Sequence, residues 1–191
     1  MAKGGVGRTQ KKARHERREL VFVDESGFYL LPGCVRTYAP CGQTPTLRVF
    51  HTRDHLSVMS GITRRGHLFT LVREDALTGA QSVTFLKGLH HRLDRKLLVV
   101  WDGSPIHRSH HVKDFLGNGG GRHIHLEQLP AYAPDLNPDE GTWQHLKRVE
   151  LRNVCCWNLC HLHHQLDLAT LRLRRKPHVI LSFFAGAGLP L

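Results

Sequence analysis

No apolar stretch in this chain approaches the roughly 20 residues that cross a bilayer, and no signal-peptide pattern opens it. A membrane partner is therefore not expected, and a cytoplasmic location is. The five cysteines, at 34, 41, 155, 156 and 160, are an odd count without the spacing of a secreted disulfide framework, so reduced thiols are the default. No CxxC pair brackets the cluster Cys155, Cys156, Cys160, His161, His163 and His164. Several of these residues stand one helical turn apart and could share a face, yet the pattern is a poor match to a zinc site. Small buried cysteines in a C-terminal helix are the better account. Gly119-Gly120-Gly121 is followed by no Lys-Ser or Lys-Thr, which excludes a phosphate-binding loop and leaves a mobile connector. Acids are few beside bases: 16 Asp and Glu stand against 27 Lys and Arg, a formal charge of +11.

That excess favours a polyanionic partner, through phosphate contacts and counterion release. Arginine dominates lysine, which suits bidentate phosphate recognition, although a GC-rich genome would bias the choice in the same direction. With 191 residues and 40% hydrophobic content, the chain is long enough for one domain with a real core. Residues 1–19 differ from the rest. Lys3, Arg8, Lys11, Lys12, Arg14, Arg17 and Arg18 crowd a segment nearly free of large apolar residues, read as a flexible basic arm, a remnant of an upstream region or a solvated tail. Residues 20–191 are then the domain proper.

From Leu20 the pattern predicts strands at 20–24, near 28–31, at 46–50, 56–63 and 67–73, separated by Gly- and Pro-bearing turns. Val83, Leu86, Leu89 and Leu93 recur at helical spacing, predicting a helix over 80–95. Residues 97–101 are apolar throughout, as in a strand covered on both faces. A helix near 108–117, a strand at 123–129, a Pro-rich loop at 130–138, a helix at 138–151 and one or two more over 158–184 complete the order. Strands followed by alternating helices and strands indicate an α/β layered fold with a mixed sheet.

Against this frame three acids stand out. Asp24 closes the apolar run 20–23, Asp102 closes the run 97–101, and Glu140 lies where a helix should begin. Functional groups in α/β sheets collect at strand ends. If the two strands are neighbours, Asp24 and Asp102 repel across a narrow gap unless a cation such as Mg²⁺ or Mn²⁺ lies between them. Plain turns would also account for both aspartates. A capping box, with Asn137 as cap and Pro138 as first helical residue, would account for Glu140.

The surrounding motifs decide between these readings. Phe22-Val23-Asp24-Glu25-Ser26-Gly27-Phe28 resembles the first catalytic block of DDE transposases related to the mariner group, in their bacterial insertion-sequence branch. The stretch from Leu98 through Trp101-Asp102-Gly103-Ser104-Pro105-Ile106 to His107 resembles the second. Leu129-Pro130-Ala131-Tyr132-Ala133-Pro134-Asp135-Leu136-Asn137-Pro138-Asp139-Glu140, with Trp143 after it, resembles the third. Residues 182–189 are also similar to that branch, and the 38 positions from Asp102 to Glu140 agree with its close spacing. The resemblance implies an RNase H-like fold, with a mixed five-stranded sheet flanked by helices. It further implies that Asp24, Asp102 and Glu140 are the catalytic residues and bind two divalent ions, Mg²⁺ or Mn²⁺. The implied reaction is DNA cleavage and strand transfer, with element ends and a TA dinucleotide as substrates, in the cytoplasm of a bacterium at its nucleoid. His107 is read as orienting substrate or a ligand, or else as a packing or helix-cap residue. Asp135 and Asp139 are the adjacent alternatives for the third acid.

The catalytic blocks begin at residue 24, whereas members of this group usually carry N-terminal helix-turn-helix modules. Recognition of element ends is therefore expected on a separate N-terminal polypeptide or a lost half, and a homodimer is expected from the need to hold two ends. Two other readings remain open: a catalytically inactive relic that only binds DNA non-specifically, and an RNase H-like nuclease with a cellular role.

Overall fold

A computed structural model describes residue 9 and residues 11–49, 52–130 and 134–189. Ten elements form the frame. Strand β1 is Glu19–Tyr29, β2 His55–Thr63 and β3 Leu68–Arg73; helix α1 is Gly79–Leu93, β4 Leu97–Trp101, α2 His110–Gly117 and β5 Ile124–Gln128. Helices α3 (Asp139–His145), α4 (Leu159–Arg174) and α5 (Pro177–Gly186) follow. The strands pair in the order β3-β2-β1-β4-β5. The first three run antiparallel, while β4 and β5 run parallel to β1.

Alternation along the strands divides the core into two layers. On one face Leu20, Phe22, Phe28, Leu98 and Val100 meet Trp143, Leu146, Leu166, Leu173, Ile180 and Phe184 from α3, α4 and α5 and the turn after α3. On the other, Val21, Val23, Leu97, Val99 and Trp101 meet Phe85, Leu86 and Leu89 of α1 and Val112 of α2. Every residue of β4 is buried, which accounts for its unbroken apolar run. Helix α1 starts where the Thr78 backbone N–H donates to Gln81 Oε1 at 2.6 Å, and stops at Asp94, in the left-handed region at φ 47°. Among the described residues no helix is long and apolar enough to cross a membrane.

The frame departs from the sequence pattern in four places. The expected strands at 20–24 and 28–31 are one strand, because Glu25-Ser26-Gly27 does not turn but pairs with Met59, Val58 and Ser57 of β2. Residues 46–49 form no strand, since no neighbouring edge receives them; Phe50 lies outside the described residues. The glycine run is an ordered 3-10 turn, Gly120–Arg122, rather than a loose connector. A side chain at Gly120 would press 2.7 Å from the Phe115 carbonyl oxygen, so the tight turn requires glycine there. The cysteines are not a buried set on one helix. Cys155 and Cys156 precede α4 and only Cys156 is buried, while Cys160, on α4, is exposed.

The described part of the basic segment is docked on the sheet. Residues 11–15 are helical and Ala13 is buried. Lys12 Nζ donates to Glu127 Oε1 at 2.6 Å, and Thr9 donates to Glu127 Oε2 at 2.6 Å. Arg18 donates to the carbonyls of Leu97 and His123.

Candidate active site

The parallel register of β1 and β4 sets Phe22 beside Val100. Two residues further along each strand come Asp24 and Asp102, at the same level and, by the two-residue period, on the face covered by α3. Asp24 is not at a strand end: β1 continues past it, paired with β2 alone as far as Tyr29. Asp102 follows the last residue of β4 and is exposed, its Oδ1 accepting from the Ser104 N–H at 2.9 Å.

Helix α3 is fixed over Asp24 by its own first residues. Asn137 Oδ1 accepts from the Asp139 N–H at 3.2 Å. Asp139 is fully buried and accepts a 2.6 Å hydrogen bond from Ser60 Oγ, and Ser60 is the β2 partner of Asp24. Burial, with repulsion from Asp24, raises the Asp139 carboxyl well above the ordinary carboxylate range; the nearby Thr142 hydroxyl pulls it back without reaching hydrogen-bond geometry. Asp139 is thus an internal anchor. Asp135 is exposed on the preceding 3-10 turn. Glu140, half-buried, follows the anchor, and among the described residues no hydrogen bond reaches its carboxylate. The reciprocal bond of a capping box is therefore missing, and capping does not explain the glutamate.

One turn on, the Trp143 indole Nε1 donates to Asp24 Oδ2 at 3.0 Å. Asp24 is pushed up to about 6, first by burial and further by the charges of Glu140 and Asp102, against the pull of the Glu25 N–H and the Trp143 indole. The three acids expected from the sequence are therefore close enough to share an electrostatic field. They have not closed round a common point: among the described residues no three His, Cys, Asp or Glu side chains form a ready-made metal cluster. As donors, three carboxylates in mutual repulsion suit a hard divalent cation.

His107 underpins this arrangement. It is buried in the 3-10 turn Pro105–Arg108, with Nε2 2.7 Å from Glu25 Oε1 and Nδ1 3.0 Å from Asp102 Oδ1. Its ring stacks on Trp101 at 4.0 Å and 2°. Burial, the largest influence, pulls the imidazole down, but the Glu25 hydrogen bond and the two carboxylate charges outweigh it and leave the ring above its usual range. On the other side of Asp24, Lys147 Nζ donates to Ser26 Oγ at 2.7 Å and lies 5.1 Å from the Phe28 ring centre. Burial lowers this ammonium, against the attraction of Glu140 and Asp24. A groove of about 610 Å³ lined by Asn137, Glu140, Gln144, Ser182 and Phe183 opens beside the trio, between α3 and α5.

Glu25, Lys147 and Ser60 carry no role in the sequence reading, and Trp143 figures there only as part of a motif. One signal was available for Lys147: it lies seven residues, two helical turns, after Glu140.

A mixed five-stranded sheet with helices on both faces and acids at the level where β1 and β4 part is an RNase H-like layout. The chain belongs to the DDE superfamily endonucleases, whose family pattern matches residues 19–154. It is 40% identical over 54 residues to the transposable element Tcb2 transposase of Caenorhabditis briggsae, a stretch covering 28% of this chain and 19% of that protein. Its fold is similar to the mariner Mos1 paired end complex with Mg, at TM-score 0.60 and 19% identity over 94% of this chain and 59% of the other. The Mos1 paired end complex with Mn gives TM-score 0.60 and 18% identity over 94% and 60%. The chain thus spans about a fifth of that transposase and three fifths of those mariner chains.

Proposed function

We propose that this chain is the catalytic part of a transposase of the mariner-related bacterial insertion-sequence branch, cutting and joining DNA at Asp24, Asp102 and Glu140. The observation that carries the reading is that three separate elements deliver Asp24, Asp102 and Glu140 to one neighbourhood, where the charges of Glu140 and Asp102 add to the burial that pushes Asp24 up to about 6. Isolated carboxylates at plain turns would not be packed into such mutual repulsion. Residues 20–191 form the catalytic domain in this reading, and residues 1–19 a basic extension of it.

Asp24, Asp102 and Glu140 are the residues that would hold the divalent ions, two Mg²⁺ or Mn²⁺ in this proposal. Mariner complexes with Mg and with Mn support the choice of metal. When bound, such ions lower the pKa of an attacking oxygen and stabilise charge at phosphorus. The protein's own part is orientation. Trp143 fixes one oxygen of Asp24, His107 holds Asp102 through Nδ1 while Glu25 fixes the ring from behind, and the Asp139–Ser60 bond sets the height of Glu140 above the sheet. Lys147 places a positive charge near the same carboxylates, where a backbone phosphate would approach. The groove beside Glu140 gives a strand room to reach them.

The substrate in this proposal is double-stranded DNA, with transposon ends and a TA target, held by a homodimer. The Mos1 paired end complexes support the assignment of DNA ends. The inactive-relic reading is less well supported, because the hydrogen bonds that hold Asp24, Asp102 and the start of α3 are all in place. The test is to compare wild type with Asp24→Asn and Asp102→Asn for nicking of labelled duplex in Mn²⁺ and for duplex binding in EDTA. Loss of nicking with binding retained supports the proposal. Nicking that survives either substitution overturns it.

A further inference from the structure

Helix α4 carries two stripes at coiled-coil spacing. One holds Leu162, Leu166, Ala169 and Leu173, at steps of four, three and four, and is buried in the core. The other faces outward. His161, His164, Leu168 and Leu171 follow one another at steps of three, four and three, with Leu168 37% and Leu171 46% exposed. Trp157, four positions before His161, extends this stripe beyond the N-cap residue Asn158. It is 66% exposed, and its ring stacks on that of His161 at 3.7 Å and 27°. Leucines and an aromatic ring repeating every 3.5 residues on an open helix face have the pattern of a coiled-coil seam.

The charges beside the seam say what fits it. Asp167 precedes Leu168 on one flank, and Arg172 follows Leu171 on the other. In two parallel helices paired about a seam, the flanking residue before one seam position faces the residue five positions further along on the other helix. Asp167 and Arg172 are five positions apart, and both are exposed. The face is therefore complementary to itself: one two-fold axis forms two Asp167–Arg172 pairs and brings each seam leucine against its own copy. Asp167 lies 3.3 Å from His163 on its own helix. Arg172 gives its Nε to Glu150, which steadies the guanidinium while its remaining N–H groups can serve a second carboxylate. An antiparallel copy would instead turn Asp167 toward Arg174, which is already committed to the Leu68 carbonyl and the Thr70 hydroxyl of β3.

We propose that the outer face of α4 docks a second copy of this chain in a parallel, two-fold pair. The inference rests on the homodimer reading above and deepens it by naming the surface. Two leucines and one tryptophan per copy make a small contact, of the weak class of interfaces. The pair therefore forms in a concentration-dependent way and is favoured where two copies are held on one DNA. The formal charge of +11 on each chain opposes association at low salt and is screened at physiological ionic strength.

The experiment is sedimentation equilibrium of the full chain at physiological ionic strength, without DNA or metal, over a concentration series. It compares wild type with Asp167→Arg, with Arg172→Asp, with an equimolar mixture of those two, and with Leu168→Lys/Leu171→Lys. Each is checked for folding by its melting transition. Wild type is expected to pass from monomer to dimer. Either charge reversal sets like charges at both pairs and should raise the dimer dissociation constant about tenfold or more. The mixture restores opposite charges at both pairs and should form a heterodimer close to wild-type strength. The lysine pair should stay monomeric; its substitutions lie on the outer face, so it remains informative even if Arg172→Asp, which also loses Glu150, fails to fold. No step needs catalysis, so the result stands apart from any failure to nick. Wild type that is monomeric throughout overturns the proposal. So does a dimer that the lysine pair leaves intact, an outcome that keeps the homodimer and moves it to another face. A mixture of folded variants that associates no better than either alone overturns the parallel pairing.

Discussion

Asp24 shows how much of the site is decided by single side chains. Its carboxyl is raised from an ordinary 3.8 to about 6, so the folded protein binds that proton more tightly than the unfolded chain. The resulting cost is fully present above pH 6, shrinks as pH falls and is gone below the unfolded value. At neutral pH it amounts to up to about 3 kcal/mol. Asp24→Asn should therefore raise the melting temperature at pH 7.5 in divalent-free buffer, with a gain that disappears near pH 4, while abolishing nicking. A melting temperature that falls at pH 7.5 would refute the assigned strain. His107 offers a second check at this scale. His107→Ala removes the group that bridges Glu25 and Asp102, and should raise the Mn²⁺ concentration for half-maximal nicking about 10- to 100-fold, as loss of ligand-orienting partners generally does; an unchanged metal dependence would reduce His107 to packing on Trp101. The three acids stand out in the sequence because each closes or opens a patterned segment and lies in a motif that resembles a catalytic block of the family. Their supports do not, because Trp143 lies 119 positions from Asp24 and Glu25 82 from His107. No local pattern encodes a contact at that separation.

Helix α3 concentrates the constraints at the level of elements. Gly141 follows Glu140, and a side chain there would stand 2.6 Å from Phe183 Cγ and 2.9 Å from its Cβ, so α3 and α5 meet backbone to ring. Gly141→Ala must push the helices apart. It should cost about 1–3 kcal/mol in urea unfolding and lower nicking by displacing Glu140; a variant with wild-type stability and activity would show that the contact is soft. After His145 the helix widens into one π turn, Leu146–Glu150, which carries Lys147. Glu150 locks the end of that turn to Arg172 and Lys176. Burial pushes the Glu150 carboxyl up, but those two hydrogen bonds overcome it and leave the group below its ordinary 4.5. The stability it lends is complete above that value and is lost as pH falls through the lowered one. Glu150→Gln should accordingly cost about 1 kcal/mol at pH 7 and almost nothing near pH 3. A helix here was readable from its Asn137-Pro138 start signal, but the π turn, Leu146–Glu150, was not. Segment 46–50 failed in the opposite direction: its apolar residues look like a strand, yet residues 46–49 find no edge to pair with.

At the scale of the whole molecule, the division of labour follows the sheet. Parallel pairing of β1 with β4 brings two aspartates level, and the α3 face supplies the glutamate. The +11 charge signalled a polyanion without saying where it would bind. The layered α/β order was legible because β4 is buried on both faces and α1 is amphipathic, whereas the sheet order β3-β2-β1-β4-β5 required the three-dimensional pairing itself. The most direct measurement is nicking of end-labelled duplex DNA by wild type and Glu140→Gln, with Mg²⁺ or Mn²⁺ and with EDTA. The account predicts nicking that needs the metal and vanishes in the variant. Metal-dependent nicking that persists in a folded Glu140→Gln protein, or none from folded wild type, would contradict it.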